Sequence, residues 1–357
     1  MCELKTIKEN ALIYMLAGKF IRSPHQLNML HESDAELIRI PGTDTILAVT
    51  TDNIVEEIQS GLYDNPYIAG RMAVIVNLSD ISAVGAEPLG LIINESFNPA
   101  SGNEYIKTIQ KGISDVCSET NTFILGGDTN FSDNVQIGAT AIGIIKDNKI
   151  ITRKGCSTGD NLFSTGKLGC GNAFAFSKLF SDKKIPYFPF NPVPRIKEGM
   201  IIRKYASCCM DTSDGMIATL DQLMRINNLG FCVDEDINNY LESNTIELCK
   251  KNSLPSWFTL AGIHGEFELI FTVNEENTGE FLKEANSAGW IPVRLGKVTD
   301  EKTVQLKING NIQRPDTAKI RNLFSNDNND IFEYLNELIL IDNSYNKNNH
   351  LTNDTGK

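Results

Sequence analysis

Five short stretches of this chain deliver an aspartate from an apolar run or a turn rich in Gly, Ser and Thr, and that recurrence constrains the fold more than any other feature. They are Ser33-Asp34-Ala35, Thr50-Thr51-Asp52-Asn53, Asn77-Leu78-Ser79-Asp80, Gly126-Gly127-Asp128-Thr129 and Asp211-Thr212-Ser213-Asp214-Gly215. Taken singly, each aspartate reads as a helix N-cap or a turn residue. Taken together they suit a site for hard cations, because Mg2+ takes oxygen ligands and shares them with substrate phosphates. Small neighbours let a phosphate come close to the backbone. Two carboxylates ~5 Å apart repel by about 3 kcal/mol at an effective dielectric of ~20. Several such pairs would exhaust the ~5–15 kcal/mol by which a protein is ordinarily stable, so a fold that gathers them needs a cation.

The chain has 357 residues, enough for about two domains, and its 41% hydrophobic and 22% charged residues suit a globular protein with a full core. A net charge of −12 opposes unspecific nucleic-acid binding, which depends on Lys and Arg. It does not oppose a small phosphorylated ligand whose charge a cation neutralises. The eight cysteines form no CxxC pair and read as reduced, mostly buried thiols. Four histidines (His25, His31, His264, His350) are too dispersed for a zinc site. The apolar stretch Ala11–Ala17 is too short to span a bilayer and lacks signal-peptide flanks, so the expectation is a cytoplasmic protein with no membrane partner.

Apolar spacing predicts a helix over 4–20, strands at 36–40 and 45–51, a buried helix over 67–84, a strand at 89–96 and an amphipathic helix over 103–119. A short strand at 122–125 is expected to run out into Gly126-Gly127-Asp128-Thr129, followed by a strand at 135–145. From Asp147 a second unit is expected: a strand at 161–164, a glycine-rich bend at 165–172, a helix from Ala173, a proline-rich connection at 186–194, a strand at 206–210 and a helix through Met224. Alternating strands and helices point to α+β or α/β architecture in both units, divided as 1–146 and 147–322. The Asn/Asp-rich tail 323–357 is expected to be partly disordered, with one helical candidate at Ile331–Leu340.

Familiar phosphate and nucleophile motifs are absent. There is no GxxxxGK[ST], no GxGxxG (Gly169-Cys170-Gly171 continues into Asn172-Ala173-Phe174), no GxSxG and no evident Cys/His pairing.

TTDNIVEE, AVIVNLSDISAVGAEP, FILGGDT and DTSDGM, in that order and at these spacings, resemble thiamine-monophosphate kinase, a family grouped with aminoimidazole ribonucleotide synthetase and selenophosphate synthetase. The similarity runs from about residue 34 to about residue 300. It implies a two-domain fold of the aminoimidazole ribonucleotide synthetase type, an N-terminal sheet that pairs with a second copy in a homodimer, and ATP in a cleft near that interface. It further implies Asp34, Thr51, Asp52, Asp80, Asp128, Asp211 and Asp214 at Mg2+, with Asp128, Asp211 and Asp214 central to catalysis. Gly127, Asp128, Arg153 and Ser213 would contact ATP. The implied reaction is in-line transfer of the γ-phosphoryl group to thiamine monophosphate.

Departures fall on the acceptor side. The family's GDDA is Glu32-Ser33-Asp34-Ala35 here, the histidine of its TDMLVEGVHF aligns with Gln59, and its GGEDYEL aligns with Ile263-His264-Gly265-Glu266-Phe267-Glu268-Leu269. Gln59 and Glu266 are therefore the candidate acceptor contacts, and His264 is either another or a solvated loop residue. Two enzyme readings stay open at this point: a true thiamine-monophosphate kinase, or a paralogue acting on another small phosphorylated or amide-bearing acceptor. A non-catalytic nucleotide-binding protein is the third.

Overall fold

The computed structural model describes residues 4–179, 188–262, 264–308, 310–323 and 337–338. A 3-10 turn at Leu4–Thr6 precedes helix α1 (Lys8–Ala17); extended backbone at Ile7 divides the single helix expected over 4–20. Then follow β1 (Glu36–Arg39), β2 (Ile46–Asn53), α2 (Val55–Gln59), α3 (Pro66–Ala83), β3 (Glu87–Phe97), α4 (Asn103–Thr120), β4 (Ile124–Phe131) and β5 (Gln136–Ile145). These strands form a five-stranded sheet in the order β1-β2-β5-β3-β4, antiparallel except for the parallel β3–β4 edge.

The second half runs through β6 (Asn161–Ser164), α5 (Cys170–Leu179), α6 (Ile196–Tyr205), β7 (Ala206–Asp211), α7 (Met216–Asn227), β8 (Gly230–Val233), α8 (Ile237–Tyr240) and α9 (Ser243–Lys251). It ends with β9 (Leu269–Val273), α10 (Glu275–Ser287), β10 (Val293–Thr299), β11 (Val304–Ile308), β12 (Asn311–Gln313) and α11 (Thr317–Leu323). Its seven strands are ordered β12-β11-β8-β10-β6-β9-β7, so β7 is an edge.

Helix α3 joins the halves. Asn65 caps it, accepting from the Tyr67 and Ile68 N–H groups, and Pro66 occupies its first turn. Its apolar residues surround the helix instead of lining one face, as a helix covered on all sides requires. It packs on β2, β5 and α4 of its own half and on α6 and β7 of the other. Ile75, Leu78 and Ile81 are fully buried, each worth about 1.5–3 kcal/mol by transfer. One hydrophobic core therefore runs through both halves, with Asn77 and Asp80 carried along it.

Two local expectations are corrected. Gly126-Gly127-Asp128-Thr129 lies inside β4, where pairing with β3 supplies the hydrogen bonds that glycines do not favour on their own. Helix α5 begins at Cys170, so Gly171 and Asn172 belong to it and not to a bend. Cys117, Cys156, Cys208, Cys209 and Cys249 are buried and free, and Cys170 and Cys232 are half-buried and free. No described helix is long and apolar enough to cross a membrane. The helical candidate Ile331–Leu340 lies outside the described residues apart from Glu337 and Leu338.

Candidate active site

Four elements bring carboxylates to one place: the loop before β1 (Asp34), β2 (Asp52), α3 (Asp80) and the end of β7 with the turn that follows it (Asp211, Asp214). One carboxylate oxygen from each of Asp34, Asp80 and Asp211 lies within 4.8 Å of the other two. Oxygens bound to one Mg2+ at ~2.0–2.1 Å sit about 3–4 Å apart, so a small contraction closes this triad on an ion. Asp34 Oδ2 is buried without a hydrogen-bond partner, which leaves a ligand atom free. The residues present thus fit a hard divalent cation.

The remaining contacts orient these groups. Ser79 Oγ donates to Asp211 Oδ2 at 2.6 Å and Thr50 Oγ1 to Asp80 Oδ2 at 2.5 Å. The Asp52 N–H donates to Asn77 Oδ1 at 3.1 Å. Burial, with the neighbouring carboxylates adding to it, pushes Asp211 up to about 7 and raises Asp80 well above the carboxylate range. Burial likewise lifts Asp52 to about 6 and Asp214 to about 6. The Asp52 and Asp80 carboxyls interact directly, a pairing that favours a proton on one of them until a cation takes its place. Asp52 and Asp214 still reach solvent although protein surrounds them, as on the floor of a cleft.

Arg153 donates to Asp34 Oδ1 at 2.9 Å and is mostly covered. Burial alone would lower its basicity, but the charges of Asp34, Asp80 and Asp211 outweigh that and keep the guanidinium protonated. It lies beside the triad, within reach of any anion drawn to the metal. Strand alternation puts Thr50 and Asp52 on one face and Thr51 on the other. Thr51 Oγ1 donates to Ala139 O and accepts from Thr140 Oγ1, so Thr50 is the hydroxyl at the cluster. Ser213 accepts through its carbonyl from the Gly265 N–H at 2.6 Å, which ties the aspartate turn to the loop before β9.

Asp128 is not with the others. Its row across the sheet reads Asp128, Asn94, Gly138, Asn53, placing it three strand spacings, about 14 Å, from β2. It stands on β4, every residue of which is exposed, and among the described residues its carboxylate accepts only from Asn130 Nδ2 at 2.7 Å. A side chain at Gly127 would meet Ile93 O at 2.4 Å, so this glycine is required by β3 itself, while Gly126 faces open space.

The two acceptor candidates are also kept apart. Gln59 is exposed and lines an open groove of about 400 Å³ whose walls mix apolar Ile58 and Val135 with polar Asn98, Ser101, Asp133 and Asn134. Glu266 points inward: its Oε2 accepts from the Gly169 N–H at 3.0 Å, at the start of α5, and burial pushes it up to about 8. A side chain at Gly265 would lie 1.4 Å from Thr212 O, which explains why an acid cannot stand there in this backbone. His264 is not solvated. It is fully buried, lowered to about 4 by that burial, and its Nε2 lies 2.5 Å from Tyr63 Oη.

Glu57 is a residue that pattern reading passed over. It stands two positions before Gln59, where TDMLVEGVHF has glycine, and its carboxylate is pushed up to about 7 by burial and by Glu56, Asp214 and Asp52. An acid at a position that the family pattern gives to glycine was the available signal.

Residues 32–145 match the AIR synthase related protein, N-terminal domain family. A thiamine-monophosphate kinase from Buchnera aphidicola subsp. Acyrthosiphon pisum is 30% identical over 280 residues, 74% of this chain and 84% of that protein. This chain belongs to the thiamine-monophosphate kinase family. The kinase from Archaeoglobus fulgidus is 29% identical, covering 78% of this chain and 85% of its own length. Among solved structures, AaThiL complexed with AMPPCP and TMP superposes with a TM-score of 0.69 at 21% identity, covering 87% of this chain and 95% of that one. Membership in the thiamine-monophosphate kinase family agrees with the two-sheet α+β architecture found here and with carboxylates drawn from both halves.

Proposed function

We propose that this protein transfers the γ-phosphoryl group of ATP to thiamine monophosphate, giving ADP and thiamine diphosphate. The observation that carries the reading is the triad of Asp34, Asp80 and Asp211, two aspartates from the first half and one from the second, with Asp34 Oδ2 buried and unpartnered. In the transfer, an oxygen of the acceptor phosphate bonds to the γ-phosphorus as the bridging β,γ-oxygen departs with ADP. No side-chain nucleophile is required, which suits a site without one. Mg2+, held by Asp34, Asp80 and Asp211 with Asp52 and Asp214 beside them, supplies charge neutralisation when bound. Thr50 and Ser79 orient the carboxylates, and Arg153 adds a fixed positive charge for the polyphosphate.

The acceptor is assigned to the groove that Gln59 lines, on the α2 side of the cleft. We assign Asp128 and β4 to a homodimer interface. Phe123, Ile124, Leu125 and Phe131 are exposed on or beside this sheet edge, and an open apolar edge invites a second strand. Pairing there would carry Asp128 toward a nucleotide near the interface. The free, buried thiols suit a reducing, cytoplasmic setting.

The test is product analysis of the purified protein with Mg2+, ATP and thiamine monophosphate. Equal amounts of ADP and thiamine diphosphate are expected. Mg2+-dependent ATP binding with no thiamine diphosphate would overturn the choice of acceptor.

A further inference from the structure

The carboxylates of the site come from two halves of the chain and, when ionised, repel one another unless a cation lies between them. Two of the contacts that hold the halves together, Ser79 to Asp211 and Arg153 to Asp34, are made by carboxylates that a cation would engage. A third contact uses none of them. Tyr63 Oη and His264 Nε2 lie 2.5 Å apart, and both residues are buried.

Each partner is wired to a different side of the cleft. The Tyr63 N–H donates to Glu57 O at 3.0 Å and closes the turn after α2, so Tyr63 anchors the segment that follows Asp52 and carries Glu57. His264 precedes Gly265, whose N–H donates to Ser213 O at 2.6 Å, next to Asp214. Phe174, Phe190 and Phe267 pack edge-on or tilted against the imidazole. Phe267 holds φ at +60°, an uncommon conformation for a bulky residue that persists only where surrounding packing imposes it. The loop is therefore held against local strain.

Resting on the kinase reading, we propose that the Tyr63–His264 hydrogen bond is a latch between the halves. It positions Asp52 of the first half against Asp211 and Asp214 of the second before cation and nucleotide arrive. Tyr63 and His264 are positioning residues, and neither touches the reacting atoms.

The test uses the full-length protein in three variants. Tyr63→Phe removes one atom and the bond, His264→Leu removes the ring-nitrogen partner, and His264→Gln keeps an amide that can donate to or accept from the hydroxyl. Two readouts are taken: the Mg2+ concentration at half-maximal ATP binding, and hydrogen exchange of residues 212–215 in chelator without nucleotide. The latch predicts a rise of about two- to tenfold in the Mg2+ midpoint for Tyr63→Phe and His264→Leu, matching the loss of one buried hydrogen bond, with His264→Gln near the parent. It also predicts faster exchange at 212–215 in the first two. If His264→Leu fails to fold, Tyr63→Phe decides alone. An unchanged midpoint with unchanged exchange in Tyr63→Phe overturns the latch, as does a lower Tm with neither readout moved. A parent protein that binds ATP but makes no thiamine diphosphate sinks the acceptor assignment instead, and the exchange comparison still stands.

Discussion

The cleft floor and the loop before β9 are built from the same residue types and end in opposite states. On the floor, Asp34, Asp80 and Asp211 crowd together with one oxygen unpartnered and Asp52 and Asp214 open to solvent. In the loop, Glu266 caps α5, Glu268 is clamped by Arg195 and Thr165, and His264 is bonded to Tyr63. The loop turns these groups onto the protein, leaving Glu266 Oε1 and His264 Nδ1 unpartnered, whereas the floor gathers three carboxylates around one point. Neither burial nor a single unmet oxygen marks a functional acid, since Glu266 has both; several carboxylates converging on one point do.

The largest expected effect lies on the floor. Asp211→Asn should lower turnover by about 100- to 1,000-fold in a steady-state assay, since one charge facing the metal is gone. The same variant should be the more stable protein without metal. Asp211 is pushed from 3.8 up to about 7 in the folded protein. A raised acid supports the folded state at low pH and withdraws that support as pH climbs from the unfolded to the folded value. In chelator, Asp211→Asn should therefore melt above the parent at pH 8 and lose that advantage at pH 4. Thermal melts at the two pH values check the sign, and a lower Tm for the variant at pH 8 would contradict it.

Gly265→Ala sharpens the comparison from the other side. The new methyl would sit 1.4 Å from Thr212 O, so the backbone must move. A loss of about 2–4 kcal/mol in urea unfolding is expected, with a raised Mg2+ requirement because the displaced turn carries Asp211 and Asp214. Glu266→Gln should do far less. The acid is pushed up to about 8, so the amide resembles the protonated form present at neutral pH. The variant should keep the parent's KM for the acceptor, and its stability relative to the parent should grow as pH rises from 4.5 to about 8. A tenfold rise in acceptor KM would return Glu266 to the substrate. Smallest of all, replacing Cys208 and Cys209 by alanine should leave turnover within about twofold and remove only ~1–2 kcal/mol of stability.

Much of this was legible in the chain because strong local signals and tertiary structure agreed. The buried helix, the strand before Asp52 and the amphipathic α4 each stand within two residues of their expected bounds. Glycine in β4 misled, because a parallel neighbour is a tertiary fact that a window of sequence does not carry. The convergence of Asp34, Asp80 and Asp211 was a conditional inference, since it depends on how α3 lies between β2 and β7. Thr51 and Thr50 are one residue apart, and only the strand's face decides which hydroxyl meets Asp80. His264 and Glu266 sit in a stretch that follows a turn and looks exposed, yet the 211–215 turn and α5 close over it.

The most direct test of the shared carboxylate site is anomalous diffraction from crystals grown with Mn2+ and a non-hydrolysable ATP analogue. The account predicts a peak bonded to Asp34, Asp80 and Asp211, with the analogue's phosphates completing its shell. A metal bound elsewhere, with these three side chains still paired only to protein, would contradict it.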